Sequence, residues 1–195
     1  IKAPFGSAGG AAIRVDTQGL TANQMKWVEK AFHKQSCVVV EPWYDRIVDL
    51  SYLFKVEKTE FSEVGVSHFL TDAGGRYRGA FLTPLKNSLP HEVKAFVHRG
   101  QGKEPWFWKT IRMIAQGLMP ELVRHGFSGL AGIDLMIVRD CKGTLKLRVP
   151  LELNPRSTMG HVARAIAKPL GTRASGIWLF VTPRDIDKSK VRDIH

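Results

Sequence analysis

The fold is decided by residues 149–161, which read Val-Pro-Leu-Glu-Leu-Asn-Pro-Arg-Ser-Thr-Met-Gly-His. Glu152 and Asn154 alternate with leucines on an apolar run that Pro155 ends. Because successive strand residues point to opposite faces of a sheet, the acid and the amide should project from one face. Their oxygens are ligands that Mg²⁺ prefers, and Arg156 can bind phosphate or carboxylate. The stretch predicts a strand that ends in a cation and anion site. The alternative is an ordinary strand end with solvated side chains.

A second acid lies on the preceding apolar run, residues 127–139, where Asp134 is the sole acidic residue. The turn sequence Asp-Cys-Lys-Gly-Thr at 140–144 should return the chain as another strand over 145–153. The resulting hairpin can bring Asp134 opposite the acid and amide of the first stretch. An acid within an apolar strand is costly to bury unless it is paired or binds a metal. The alternative for Asp134 is a salt bridge with a nearby arginine.

The beginning of the chain carries a glycine-rich loop between two short predicted strands, with the sequence Gly-Ser-Ala-Gly-Gly at 6–10. Glycine has no Cβ, so the backbone N–H groups of this loop can approach an anion closely. Lys2, just before the loop, can lie against a phosphate. The loop lacks the Gly-Lys-Ser/Thr ending of the nucleotide P-loop. A plain hairpin turn is the alternative.

A third stretch, residues 37–51, begins as an apolar β-branched strand that Pro42 ends, since proline cannot donate a ladder hydrogen bond. Backbone groups at this strand end can bind an adenine edge, and Glu41 can accept from the region of its exocyclic amine. Asp49 can take ribose hydroxyls. Trp43 either lines the ligand or packs as an ordinary hydrophobic side chain.

These four features resemble the ATP-grasp superfamily in their order along the chain: the lysine with the glycine-rich loop, the strand that ends at Glu41, the strand with Asp134, and the Glu-x-Asn-Pro-Arg element. The resemblance runs from Lys2 to about Ile166, and the Glu-x-Asn-Pro-Arg element at 152–156 is its most specific part. It implies an α+β fold in which two α+β lobes with antiparallel sheets clasp a nucleotide. The implied cofactors are ATP and Mg²⁺ (or Mn²⁺). The implied activity is that of a carbon–nitrogen ligase, which activates a carboxylate as an acyl-phosphate for attack by an amine or a similar nucleophile. Small-molecule carboxylates and amines are therefore the expected partners.

The resemblance also implies roles by position. Arg156 and Lys2 would be the catalytic residues, and Lys2 would also contact the nucleotide phosphates. The remaining nucleotide-binding residues would be Gly6, Ser7, Gly9, Gly10, Glu41, Pro42, Trp43 and Asp49. The metal ligands would be Asp134, Glu152 and Asn154.

The sequence departs from the family pattern in three places. Many members carry an arginine two residues before the first metal acid, where this chain has Gly132. Asp134 stands where a glutamate is common. The family has an N-terminal subdomain before the glycine loop. We therefore expect this chain to be part of a longer protein that lacks its N-terminal part, and that missing region is an expected partner.

We predict a small nucleotide-flap lobe over residues 1–84 and a large metal and catalytic lobe over residues 85–195. His161, at a helix start near the proposed site, is predicted to lie on the surface. The predicted helices cover residues 22–34, 91–99, 106–125 and 158–168. Besides the hairpin described above, the predicted strands cover residues 47–58, 64–71, 76–82 and 177–182.

The chain is basic, with 29 Lys and Arg against 18 Asp and Glu and a formal net charge of +11. Such a charge attracts polyanions, but no RNA-binding signature or zinc spacing is present, so nucleic acid is not an expected partner. A basic nucleic-acid-binding domain remains an alternative, as does a non-catalytic nucleotide-binding module, which Gly132 favours. The two cysteines indicate no structural disulfide, so we expect a cytoplasmic location. No segment is long and apolar enough to span a bilayer, and the sequence makes no prediction of oligomeric state.

Overall fold

The computed structural model describes residues 1–5, 12–58, 60–100, 104–171 and 175–181. The chain divides into two compact units. The first consists of Ile1–Asp45 with Thr71–Tyr77, and the second of Arg46–Leu70 with Arg78–His195. This division differs from the predicted boundary between residues 84 and 85, because nearly all strand residues before position 84 group with the later part of the chain.

One antiparallel sheet of six strands forms the framework of the second unit. Its spatial order is β5-β4-β1-β2-β3-β6. The α+β class is therefore confirmed. The strands predicted for two separate lobes lie in one sheet, because β1 is a neighbour of β4 as well as of β2. In chain order the strands are β1 (Asp45–Glu57), β2 (Glu60–Thr71), β3 (Tyr77–Phe81), β4 (Gly129–Arg139), β5 (Leu145–Asn154) and β6 (Ile177–Leu179).

Four of the five helices in the described residues lie close to their predicted positions, whereas the short helix over Leu85–Ser88 was not predicted. They are α1 (Ala22–Gln35), α2 (Leu85–Ser88), α3 (His91–His98), α4 (Trp106–Arg124) and α5 (Met159–Leu170). At the start of α1, Thr21 and Gln24 form a reciprocal capping box, which satisfies two backbone N–H groups. Pro120 lies inside α4 without ending it. No helix within the described ranges is long and apolar enough to cross a membrane.

The sheet has one apolar face, which packs against α3 and α4. Tyr52 and Phe54 on β1 and Ile133 on β4 are fully buried in this core, as are Phe107 and Ile111 on α4. These residues alternate along their strands or recur at helical spacing, so each element turns one face inward. Burial of this apolar surface is the main stabilising contribution to the second unit.

The opposite face of the sheet is polar and is covered by α5. Glycines allow the close approach of this helix. A Cβ on Gly160 of α5 would lie 3.1 Å from Ser67 Cβ, and one on Gly132 of β4 would lie 3.2 Å from Ser51 Oγ and 3.4 Å from Thr158 Cγ2. A side chain at position 132 would therefore force its neighbours on β1 and at the start of α5 to shift.

In the first unit, the described residues form α1 and isolated β-bridges. Lys2 pairs with Ala12 and with Val39, and the Lys2 and Val39 backbones exchange two hydrogen bonds of 2.8 Å. The strand expected before Glu41 is thus reduced to one bridge at Val39. Within the described residues, the stretch before Glu41 pairs with the short segment around Lys2.

Candidate functional site on the polar face of the sheet

The β4–β5 hairpin brings the predicted metal ligands to one face of the sheet, as expected. Asp134 is the direct cross-strand partner of Glu152, and Gly132 is the partner of Asn154. The Asp140 carboxylate fixes the turn between the strands, because it accepts the backbone N–H groups of residues 142 and 144 at 3.0 and 2.8 Å. A local turn therefore sets the register that places two acids and an amide together.

A β-bulge lies directly before Glu152. The partner of Asp134 is Glu152, yet the partner of Met136 is Arg148, so β5 contains more residues than β4 across this interval. Bulges re-aim side chains and are common beside functional sites. Pro150 lies within the bulge, and it is tolerated there because β5 is at an edge of the sheet.

A hydrogen-bond chain links three of the predicted site residues. Arg156 Nη2 donates to Asn154 Oδ1 at 2.9 Å, and Asn154 Nδ2 donates to Asp134 Oδ2 at 3.2 Å. Asn154 is buried, whereas Arg156 and Glu152 are exposed. Since a guanidinium can only donate, the amide oxygen of Asn154 must face Arg156. The hydrogen bonds thus define which end of the amide points toward Asp134.

Burial controls the charge state of Asp134. Burial, together with the negative charge of Glu152, raises the pKa of this carboxyl to about 6. The hydroxyl of Ser51, the amide of Asn154 and the charge of Arg156 act in the opposite direction but do not offset burial. A nearby cation would favour the ionised form of Asp134.

Two residues of this face were missed or misplaced by the sequence analysis. Ser51 on β1 is buried, and its signal was a serine within an otherwise apolar run. His161 was predicted to be exposed, and that was wrong. It is buried because α5 lies close to the sheet. Its Nδ1 accepts the Thr158 N–H at 3.1 Å, and burial lowers the pKa of its ring.

The donor set suits a hard divalent cation. Within the described ranges, no group of three or more His, Cys, Asp or Glu side chains is placed to hold a metal. Asp134 and Glu152 supply two carboxylates, so the amide oxygen of Asn154 would be needed as a third protein ligand. In the present arrangement this oxygen faces Arg156, and the nitrogen faces Asp134. The residues therefore fit Mg²⁺ or Mn²⁺ if the amide turns.

The first unit holds most of the described residues predicted to contact the nucleotide. Lys2 Nζ lies 2.8 Å from Glu41 Oε1, and both residues line a small open pocket together with Val39, Pro42 and Trp43. The ring of Trp43 is 44% exposed. The predicted flap residues Gly6, Ser7, Gly9 and Gly10 lie outside the described residues.

The predicted ribose ligand, Asp49, belongs to the second unit. It is buried on β1, and its Oδ2 lies 3.5 Å from Arg46 Nη1. Asp49 and Ser51 are two residues apart on the strand, so they share the polar face. The structure therefore places Asp49 in a partly buried charge pair at the same face as the Asp134 cluster.

No protein-family model matches this chain, and no curated protein matches it.

Proposed function

We propose that this chain is the nucleotide-binding and catalytic part of an ATP-dependent ligase of the ATP-grasp type. The observation that carries the proposal is the meeting of Asp134, Glu152, Asn154 and Arg156 on one sheet face at the end of a hairpin. The order of the motifs along the chain supports it, from Lys2 and the glycine-rich stretch to the Glu-x-Asn-Pro-Arg element.

The residues of the second unit would perform the phosphate chemistry. Asp134, Glu152 and Asn154 would hold Mg²⁺ or Mn²⁺, which would neutralise phosphate charge as the acyl-phosphate forms. Arg156 is exposed and carries a planar donor fork, so it would orient an anionic group such as the carboxylate substrate. The amine or similar nucleophile would then attack the activated carboxylate.

The residues of the first unit would bind the nucleotide. The exposed ring of Trp43 and the apolar side chain of Val39 suit a flat base. Lys2 would exchange its ion pair with Glu41 for a phosphate of the nucleotide. An exposed ion pair of this kind is weak, so the exchange costs little.

The test is Mg²⁺-dependent ATP binding, measured by calorimetry on the full chain. Glu152→Ala removes a proposed ligand that is exposed, so the fold should persist, and we expect the affinity to fall by about tenfold or more. Glu60→Ala removes an exposed acid at the start of β2 and serves as the matched control with unchanged affinity. Equal Mg²⁺-dependent binding by Glu152→Ala and the wild-type chain would contradict the metal assignment.

A second candidate function is a nucleotide-binding module without turnover. The glycine at position 132 favours it, because many members of the ATP-grasp superfamily carry an arginine at the corresponding position. The two functions differ in ADP release. A ligase should release ADP when supplied with ATP, a carboxylate and an amine, and Arg156→Met should lose this release. A module without turnover should bind ATP and release no ADP under the same conditions.

A further inference from the structure

Both ends of the Asn154 side-chain amide form hydrogen bonds, and its nitrogen, which cannot coordinate a cation, faces Asp134. Its oxygen accepts from Arg156 at 2.9 Å, and its nitrogen donates to Asp134 at 3.2 Å. The side chain is buried, so neither end can exchange its partner freely for water. A cation shared by Asp134 and Asn154 would meet an amide N–H₂ group, which cannot coordinate it.

We propose that Arg156 is a positioning residue that holds Asn154 in the cation-free orientation, and that cation binding releases it. For Asn154 to coordinate a cation beside Asp134, its amide must turn so that Oδ1 replaces Nδ2 at that position. Nδ2 then faces the Arg156 guanidinium, and two donors cannot bond to each other. Arg156 must therefore leave as the cation binds. This inference rests on the proposed function, since it takes Asp134 and Asn154 as cation ligands.

The surroundings of Arg156 allow this departure. Its side chain is exposed, and its other hydrogen bond, from Nη1 to the Ser157 carbonyl, is long at 3.5 Å. The released guanidinium can bind an anionic group of a substrate in place of the Asn154 oxygen. By thermodynamic linkage, an anion that holds Arg156 away from Asn154 tightens cation binding by the same factor by which the cation tightens anion binding.

The first test follows the two side chains directly in the wild-type chain by nuclear magnetic resonance. Mg²⁺ is titrated without nucleotide while the Asn154 side-chain N–H₂ and the Arg156 Nε–H signals are recorded. We expect both signals to move along one binding curve. Movement of the Asn154 signal while the Arg156 signal stays constant would overturn the role of Arg156.

The second test is a double-mutant cycle on Mn²⁺ affinity. Arg156→Met removes the competing donor, and we expect Mn²⁺ to bind about tenfold more tightly, the scale of one charge-assisted hydrogen bond. The same substitution in an Asn154→Ala background should give no gain in Mn²⁺ affinity. If Asn154→Ala does not fold, Asn154→Ser takes its place. Removal of positive charge alone would give the same gain in both backgrounds, and that outcome would overturn the inference.

Arg164→Met on α5 is the matched control for charge, because Arg164 is also exposed and donates a hydrogen bond to the Val66 carbonyl at 3.4 Å. It should leave Mn²⁺ affinity nearly unchanged. The cycle also separates this inference from the proposed function. If Asp134→Asn abolishes cation binding but the cycle shows no coupling between Arg156 and Asn154, only the role of Arg156 is overturned. If the chain binds no cation, or if Asp134→Asn leaves cation binding unchanged, both the metal site and the inference are overturned.

Discussion

The two faces of the six-stranded sheet differ in the side chains they carry and in how helices pack against them. The apolar face, with Tyr52 and Ile133, packs large side chains against α3 and α4. The polar face, with Ser51, Gly132 and Asp134, admits α5 through glycine contacts and buries a carboxyl. The apolar face therefore supplies stability, whereas the polar face gives up some stability to hold charged and polar groups together.

Two titratable side chains, one on each face, respond to pH in opposite directions. On the apolar face, burial lowers the pKa of His68 to about 4. The folded chain then binds fewer protons than the unfolded chain, so this contribution to stability is lost as the pH falls from about 6.5 to 4. On the polar face, the pKa of Asp134 is raised to about 6, so its contribution is lost as the pH rises from about 4 to 6.

The largest expected effect concerns the apolar face. Phe107 on α4 is fully buried, and Phe107→Ala should lower the free energy of unfolding by about 3–5 kcal/mol, because it leaves a cavity. Met113→Ala on the same helix is the control, since Met113 is 62% exposed and should change stability by less than about 0.5 kcal/mol. Urea unfolding measures both. Similar losses for the two variants would contradict the assignment of this face as the core.

An intermediate effect of opposite sign is expected on the polar face. Asp134→Asn removes the cost of ionising a buried carboxyl, so it should raise the free energy of unfolding by about 1–3 kcal/mol at pH 7.5. The gain should disappear near pH 4, where the carboxyl is protonated. Asp45→Asn, at an exposed position, should show no such pH-dependent gain. Destabilisation by Asp134→Asn at pH 7.5 would show that the polar face does not reduce stability.

The smallest expected effect tests whether glycine on the polar face is needed for the close approach of α5. Gly132→Ala places a Cβ against Ser51, Leu53 and Thr158 at 3.2–3.4 Å, and should lower the free energy of unfolding by about 1 kcal/mol. Gly117→Ala within α4 meets no atom within 4 Å and should raise it by about 0.5–1 kcal/mol through helix propensity. Thermal unfolding compares the pair. Equal stabilisation by both variants would mean that α5 can shift away from the sheet.

Local sequence signals predicted the elements well. Two examples are the capping box at Thr21 and Gln24 and the turn at Asp140. Each depends on residues within four positions of one another. The facing of Asp134 and Glu152 follows from that turn and from strand alternation, so the core of the site could be inferred from the sequence. Interactions of short range along the chain are therefore the ones that the sequence patterns revealed.

The remaining features depend on contacts between distant segments. No local pattern indicated that β1 lies beside β4, so the strands were assigned to two lobes instead of one sheet. The burial of Ser51 and His161 follows from that pairing and from the close approach of α5. Val39 forms only a bridge because its partner segment at Lys2 is short. Apolar and β-branched composition cannot reveal which partner a strand finds.

The site strand β5 is also an edge of the sheet within the described ranges. An open edge can template the addition of a strand from another molecule, and charges, proline and bulges oppose this addition. The exposed residues of β5 are Lys146, Arg148, Pro150 and Glu152. Glu152, proposed as a cation ligand, therefore also helps to keep the protein from aggregating edge to edge at high concentration.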